Sequence, residues 1–350
     1  MHAGGSETPA RGDLMLARQE RQARRSARRR AGILGSYVAT LVFLVVLNFV
    51  LPRAMPGDPV DALIAQSATN FTFGEESRAA LEEYYGVDRP LPQQFGHYVS
   101  GLARGDLGRS ISTNATVGSE LGRRLPWTIL LIGTSLVLAA VAGLVTGVHA
   151  GWRRGRRSDR VLLVSLLAVR EFPAFLLASL LLFVVSVKLG WLPLSGAQTP
   201  FSGSFTLVEK TIDVGRHLLL PALVLTVGLT AGNYLVMRAG MVRELGADHL
   251  LLGRAKGLRD RTLKYRYAAR NALLPVVSLT ALQIGFVVTG DVLIERVFAY
   301  PGLGGLIFDS IAARDYPTIQ GAFLVVSVSV VTINALADVL YRRLDPRTSP

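Results

Sequence analysis

The sequence predicts an all-α, polytopic membrane protein with six transmembrane helices, and three observations carry that expectation. Half of the 350 residues are hydrophobic, and mean hydropathy is +0.38. Six apolar stretches, about 33–52, 127–149, 161–187, 218–237, 274–294 and 319–341, approach or exceed the ~20 residues that a helix needs to cross a bilayer core. The 38 Lys and Arg, against 25 Asp and Glu, are concentrated in alternate connecting segments rather than spread along the chain. Inside hydrocarbon each backbone N–H and C=O must be bonded internally, so apolar spans of this length are read as helices.

Segment 1–32 carries eight basic residues, among them the run Arg24-Arg25-Ser26-Ala27-Arg28-Arg29-Arg30. Such a cluster directly before a span retains the N-terminus in the cytoplasm, and it can also meet anionic headgroups. The first span, 33–52, is longer than the ~7–15-residue core of a cleaved signal peptide. It ends in Leu51-Pro52-Arg53 rather than a small-x-small site, so it reads as a retained anchor. The extracytoplasmic segment 53–126 has turn signals such as Pro56-Gly57-Asp58-Pro59 and polar amphipathic stretches but no obvious independent core.

The remaining five spans fall within 127–347. In the third, Arg170 and Glu171 precede Pro173, which can kink a helix. Each charge at the centre of a span costs about 2.5–3.5 kcal/mol and each Leu, Val or Phe returns about 0.3–0.6, so the roughly 18 such residues in 161–187 can carry both charges. That leaves two readings for the pair: a place on a solute pathway, or contact with a neighbouring helix. Asn48, Asn233, Gln283 and Asn334 inside the spans read as interhelical hydrogen-bonding groups.

Orientation follows from the basic residues. Segments 1–32, 150–160, 238–273 and 342–350 together carry 25, the intervening segments carry 12, and Arg170 completes the set. Cytoplasmic segments collect Lys and Arg, so both termini and the loop 238–273 are expected inside. The excess positive charge then needs no nucleic-acid partner.

That loop holds Asp248-His249-Leu250-Leu251-Leu252-Gly253-Arg254-Ala255-Lys256-Gly257-Leu258. Asp248 is expected to cap the N-terminus of a short helix and Gly257 to close it in the left-handed conformation. Asp260 is expected to cap a second helix running through Leu263, Tyr267 and Asn271 toward Pro275. Leu250, Leu251, Leu252 and Ala255 then form an apolar knob on a basic loop, either a docking surface or a helix lying on lipid.

Several chemistries are absent from the sequence. It contains no cysteine, and its five histidines, at 2, 97, 149, 217 and 249, include no pair spaced i, i+4, so no metal site or cofactor is expected. None of the lysines Lys188, Lys210, Lys256 and Lys264 follows a glycine, so the chain cannot build a phosphate-binding loop. No Gly-x-Ser-x-Gly elbow or His-Glu-x-x-His pair appears, and no enzymatic activity is expected. If ATP drives transport, the ATPase is a separate polypeptide that touches a cytoplasmic surface. The alternative is a self-sufficient ion-coupled transporter, for which Arg170 and Glu171 are the conspicuous pair, while Asp291, near the external end of the fifth span, reads as an interfacial residue rather than a proton relay.

Ordered motifs run along the chain: Leu51-Pro52-Arg53-Ala54-Met55-Pro56-Gly57-Asp58-Pro59-Val60, Gly86-Val87-Asp88-Arg89-Pro90-Leu91, Gly105-Asp106-Leu107-Gly108 and Trp191-Leu192-Pro193. They continue with Arg254-Ala255-Lys256-Gly257-Leu258, Arg270-Asn271-Ala272-Leu273-Leu274-Pro275, Glu295-Arg296-Val297-Phe298, Pro301-Gly302-Leu303-Gly304, Arg314-Asp315-Tyr316-Pro317 and Leu344-Asp345-Pro346-Arg347. In these motifs the chain resembles, from about residue 33 to 347, the inner-membrane permease subunits of the dipeptide, oligopeptide and nickel branch of ABC importers. The resemblance implies a type I importer core in which the loop around Ala255, Lys256, Gly257 and Leu258 is a coupling helix seated in a cleft of the ATPase. Leu250, Leu251, Leu252 and Arg254 belong to the same surface. It also implies a second homologous permease, two ATPase subunits and an extracytoplasmic substrate-binding protein as partners. Leu251, Leu252 and Gly253 depart from the polar or charged residue and Thr-Ala that relatives often carry, and Tyr267 stands where many have His.

Overall fold

Glycine recurs at every fourth position in Gly143, Gly147 and Gly151, which strips one stripe of a helix of side chains. In the computed structural model this stripe is pressed against Asn233, Met237 and Met241 of a second long helix. A Cβ placed on Gly143 would lie 2.5 Å from that of Asn233, and one on Gly147 would lie 2.7 Å from that of Met237. Gly151 meets Met241 in the same way. Lipid tails are as apolar as leucine, so helices in a membrane gain from van der Waals packing at close range, and small residues permit it.

The structure describes residues 35–55, 60, 61, 63, 64, 75–284, 287 and 290–344. The basic segment 1–32, the Pro56-Gly57-Asp58-Pro59 turn and the tail motif from Asp345 lie outside the described residues. The helices are α1 (Gly35–Ala54), α2 (Glu75–Tyr85), α3 (Leu91–Ala103), α4 (Val117–Trp152) and α5 (Arg157–Glu171). Next come α6 (Ala174–Leu181, continued as a π-helix over Leu182–Lys188), α7 (Leu207–Glu244) and α8 (Asp248–Ala255). The last four are α9 (Asp260–Thr262, a π-helical stretch Leu263–Ala268, then Ala269–Ile284), α10 (Val292–Val297), α11 (Leu303–Ala312) and α12 (Tyr316–Leu344). The glycine stripe is on α4 and its partner is α7.

Among the described residues α1, α4, α7 and α12 are each long and apolar enough to cross a membrane, and the α5–α6 pair makes a fifth if counted as one span. Two of the expected spans differ in form. Stretch 161–187 is not one helix but two, meeting at 94°. The cause is local: the ring of Pro173 pushes the preceding residue out of the helical region, and Phe172 is extended at φ −77°, ψ 128°. In stretch 274–294 the described part of α9 runs to Ile284, Gly290 and Asp291 are not helical, and Val292 begins the separate helix α10.

Helix α7 starts with a feature legible in its sequence, Thr206-Leu207-Val208-Glu209, whose ends close a reciprocal cap: Glu209 N–H donates to Thr206 Oγ1 at 3.4 Å and Thr206 N–H donates to Glu209 Oε2 at 2.8 Å. At the same end of the molecule as the start of α12, the segment before α4 is clasped by a buried carboxylate. Asp315, 1% exposed, accepts from Ser110 Oγ at 2.5 Å, Ile111 N–H at 3.0 Å, Ser112 Oγ at 3.0 Å and Thr318 Oγ1 at 2.9 Å. Glu295, also 1% exposed, accepts from Thr128 Oγ1 of α4 at 3.0 Å and from the Gly305 N–H at the start of α11 at 2.8 Å. Burial pushes its carboxyl above the usual carboxylate range, with the Gly305 and Thr128 hydrogen bonds opposing. A side chain on Gly302 would collide with this carboxylate, which explains the glycine after Pro301 in steric terms.

Replacing Gly147 with leucine is expected to separate α4 from α7, since overpacking a tight contact costs about 1–3 kcal/mol. The check is the amount and thermal midpoint of purified protein, with Gly133→Leu, at a position open on the same helix, as the control that should change neither.

Candidate docking surface

The loop between α7 and α9 is built on α8, a two-turn helix. Eight residues are too few to hold a helix in isolation, so its position comes from its packing. Leu250 is 1% exposed and enters a core with Met237 and Met241 of α7, Val148 of α4, and Leu263, Ala268, Ala272 and Val276 of α9. Gly253 brings the backbone so close to α9 that a Cβ would lie 2.6 Å from Leu263 Cδ2. A polar knot adds to this: Glu244 Oε2 receives Asn271 Nδ2 at 3.1 Å and lies 3.1 Å from His249 Nε2.

With that face anchored, the opposite face is bare. Leu251 and Leu252 are 55% and 56% exposed, and Arg254, Ala255, Lys256 and Gly257 are exposed beside them. Leu258 is half-buried against the core. The expected knob is thus split: Leu250 is its root, and Leu251, Leu252 and Ala255 are its surface. A periodicity argument with Leu at three successive positions could not separate them, because adjacent helical residues point about 100° apart.

The C-terminus closes as expected. Gly257 has φ +73°, its N–H donates to Arg254 C=O at 2.9 Å, and the Leu258 N–H donates to Gly253 C=O at 3.1 Å. These two bonds are the 5→2 and 6→1 pair of a Schellman motif. The N-terminus does not. The capping position is Ala247, with no side-chain cap, and Asp248 is the first helical residue. There its charge favours the positive end of the helix dipole without donating a cap. Asp260 is likewise the first residue of α9, after the uncapped Arg259.

Arg170 and Glu171 stand exposed at the end of α5, at the elbow with α6. The structure instead supplies an ion pair that composition and spacing had not singled out. Asp159, 3% exposed at the start of α5, receives Arg238 of α7 through Nε at 2.6 Å and Nη2 at 2.8 Å, and the Gly155 N–H at 2.9 Å. The Arg238 hydrogen bond holds the Asp159 carboxyl below its usual range, against the opposing effect of burial. The partners are 79 residues apart, so no local pattern could have paired them.

Asp159 therefore stabilises the fold fully above the ordinary carboxylate range, and that contribution is lost as pH falls through its depressed native value. Asp159→Asn should lower stability by about 3 kcal/mol at neutral pH, because it leaves Arg238 partly buried without its charge partner. Thermal unfolding across pH should show the gap between the two proteins narrowing below about pH 4. Gly257→Val should raise the left-handed closure by roughly 1–2 kcal/mol, whereas Gly257→Asn should be milder. Solute uptake at equal expression is the measurement, and equal uptake by the two variants would show the closure to be dispensable.

Three comparisons bear on this arrangement. Residues 125–350 match the family described as the binding-protein-dependent transport system inner membrane component. A Brucella ovis protein named as a peptide permease is 39% identical over 308 residues, 88% of this chain and 94% of the relative. The glutathione transport system permease protein GsiC of Escherichia coli is 37% identical over 309 residues, again 88% of this chain and 94% of the relative.

Proposed function

For a chain that belongs to the inner membrane components of binding-protein-dependent transport systems, we propose that the bare face of α8 is the surface on which the ATPase of the importer docks. The family makes the protein a multi-pass permease of an ABC importer rather than an ion-coupled transporter that works alone, and its members are transport permeases rather than enzymes. One observation carries the docking assignment: two leucines more than half exposed on a helix whose other face is locked into the ends of α7 and α9. An apolar pair held rigidly in water is suited to a pocket on a partner.

Motion applied to α8 passes through Leu250, Gly253 and the Glu244–His249–Asn271 knot to both long helices at once. Closure of an ATP-bound ATPase would draw the helix with it, and rigid-body movement of the attached spans would open one side of the pathway and close the other. The assembly that fits this role has a second homologous permease, two ATPase subunits and an extracytoplasmic binding protein. Six spans, with both termini and α8 in the cytoplasm, fit the 25 to 12 distribution of basic residues. The solute is a peptide or a similar small molecule, a reading supported by relatives named for peptide and glutathione transport.

The chain has no cysteine, so Leu252→Cys introduces a single reporter. It should react with an impermeant maleimide in inverted vesicles and not in intact cells, and the bound ATPase should shield it. The double variant Leu251→Asp, Leu252→Asp should lose the ATPase on purification, since each buried leucine contributes about 1.5–3 kcal/mol and a buried unpaired carboxylate costs more. Labelling in intact cells would overturn the orientation; co-purification and uptake unchanged in the double variant would overturn the docking site.

A further inference from the structure

A second site lies where the end of α1, the α2–α3 turn, α3 and the start of α12 meet. They enclose a cleft of about 290 Å³ whose lining includes Arg53, Arg89, His97 and Gln320. None of its described lining residues is Asp or Glu. From these contacts we propose that the cleft binds an oxyanion, a carboxylate or a phosphate group, of a small molecule or a lipid headgroup.

The geometry is that of a prepared site. Arg53 lies 3.7 Å above the Phe49 ring, and its Nε and Nη2 donate to Gln94 Oε1 at 3.0 and 2.8 Å while Nη1 donates to the Phe49 carbonyl at 3.0 Å. The guanidinium is thereby fixed by neutral acceptors, which leave its charge uncompensated among the described residues. Gln94 fixes the neighbouring turn as well, since its Nε2 donates to the carbonyls of Val87 at 3.1 Å and Arg89 at 2.8 Å. Gly86, at φ +63°, allows the Arg89 side chain to fold back across the turn, 3.5 Å from where a Cβ would sit.

The independent sign is Gln320 on α12. It is 6% exposed, and its amide nitrogen has no hydrogen-bond partner among the described residues. A buried donor left unpaired is costly unless something accepts from it, and Gln320 lines the same cleft as Arg53 and Arg89. Arginine's planar fork suits carboxylate and phosphate alike, so the chemistry of the ligand is set while its source is open to experiment. Asp315, packed against these elements, is already engaged by Ser110, Ser112, Ile111 and Thr318, and neither it nor Asp88 of the turn is among the lining residues.

Tyr84→Cys places a reporter at the rim, where Tyr84 is 67% exposed. The full chain, with its partner subunits in nanodiscs, is modified with a small neutral thiol reagent. In phosphatidylcholine discs the added probes are inorganic phosphate, N-acetyl-dialanine or its amide; a second set of discs contains phosphatidylglycerol and no added probe. Saturable slowing by phosphate and the free carboxylate, with none by the amide, identifies a soluble oxyanion. Slowing in phosphatidylglycerol discs alone identifies a headgroup. In either case Arg89→Gln and, separately, Gln320→Met should weaken the protection by about tenfold. Arg89 is exposed and Gln320→Met preserves shape, so neither variant depends on refolding the site. No protection by any of these probes, or protection unaltered in both variants, overturns the proposal. The reporter reads the cleft directly, so failure of the α8 docking assignment would leave its result unchanged.

Discussion

Close approach of two backbones, α4 on α7, sets the positions of nearly everything else in the molecule. Within a bilayer, burying leucine against leucine gains little over leaving it in lipid, so the helices that stay together are those that can touch over a long stripe. Gly143, Gly147 and Gly151 provide that stripe, and it runs toward the end of the helix pair where Met237 and Met241 also form the floor under Leu250. One seam therefore serves two purposes. It joins the central spans, and it builds the seat on which the short helix of the loop rests.

Away from the seam, buried carboxylates do the joining. Asp315 ties the segment before α4 to the start of α12, Glu295 ties α10 to α4 and α11, and Asp159 ties α5 to α7. Each is supplied with several donors, as the cost of burying a carboxylate demands. They act between elements that the chain connects by long detours, and they sit at the ends of spans, where donors from turns and helix starts are available. The glycines around Glu295 show the reverse side of this design: Gly302 and Gly304 are small because the carboxylate occupies the room their side chains would need.

The sequence disclosed what depends on local pattern. Hydropathy located α1 and α12 within a few residues and the interiors of α4 and α7, whose helices begin at Val117 and Leu207, well before the apolar stretches, and the left-handed closure at Gly257 followed from its place after an apolar turn. It failed where a neighbour along the chain or across the fold decides. Asp248 was a plausible cap, yet the helix starts one residue earlier than that role requires, and the extended Ala247 takes the position. Pro173 did signal its kink, and the break is as sharp as 94° because the proline holds Phe172 extended. Leu250 could not be told from Leu251 and Leu252, because which one is buried depends on Leu263 and Met241, residues that proximity in sequence does not single out.

Helix α8 has another consequence. Being only two turns long, it owes its shape to Leu250 and Gly253 resting on a floor contributed by α4, α7 and α9. That floor exists only after three separate spans have inserted and packed. On the proposed docking role, the surface of α8 is a report on completed assembly: a permease whose spans have not come together has no such packed helix to present. With that role, recruitment of the motor would be restricted to permeases already folded.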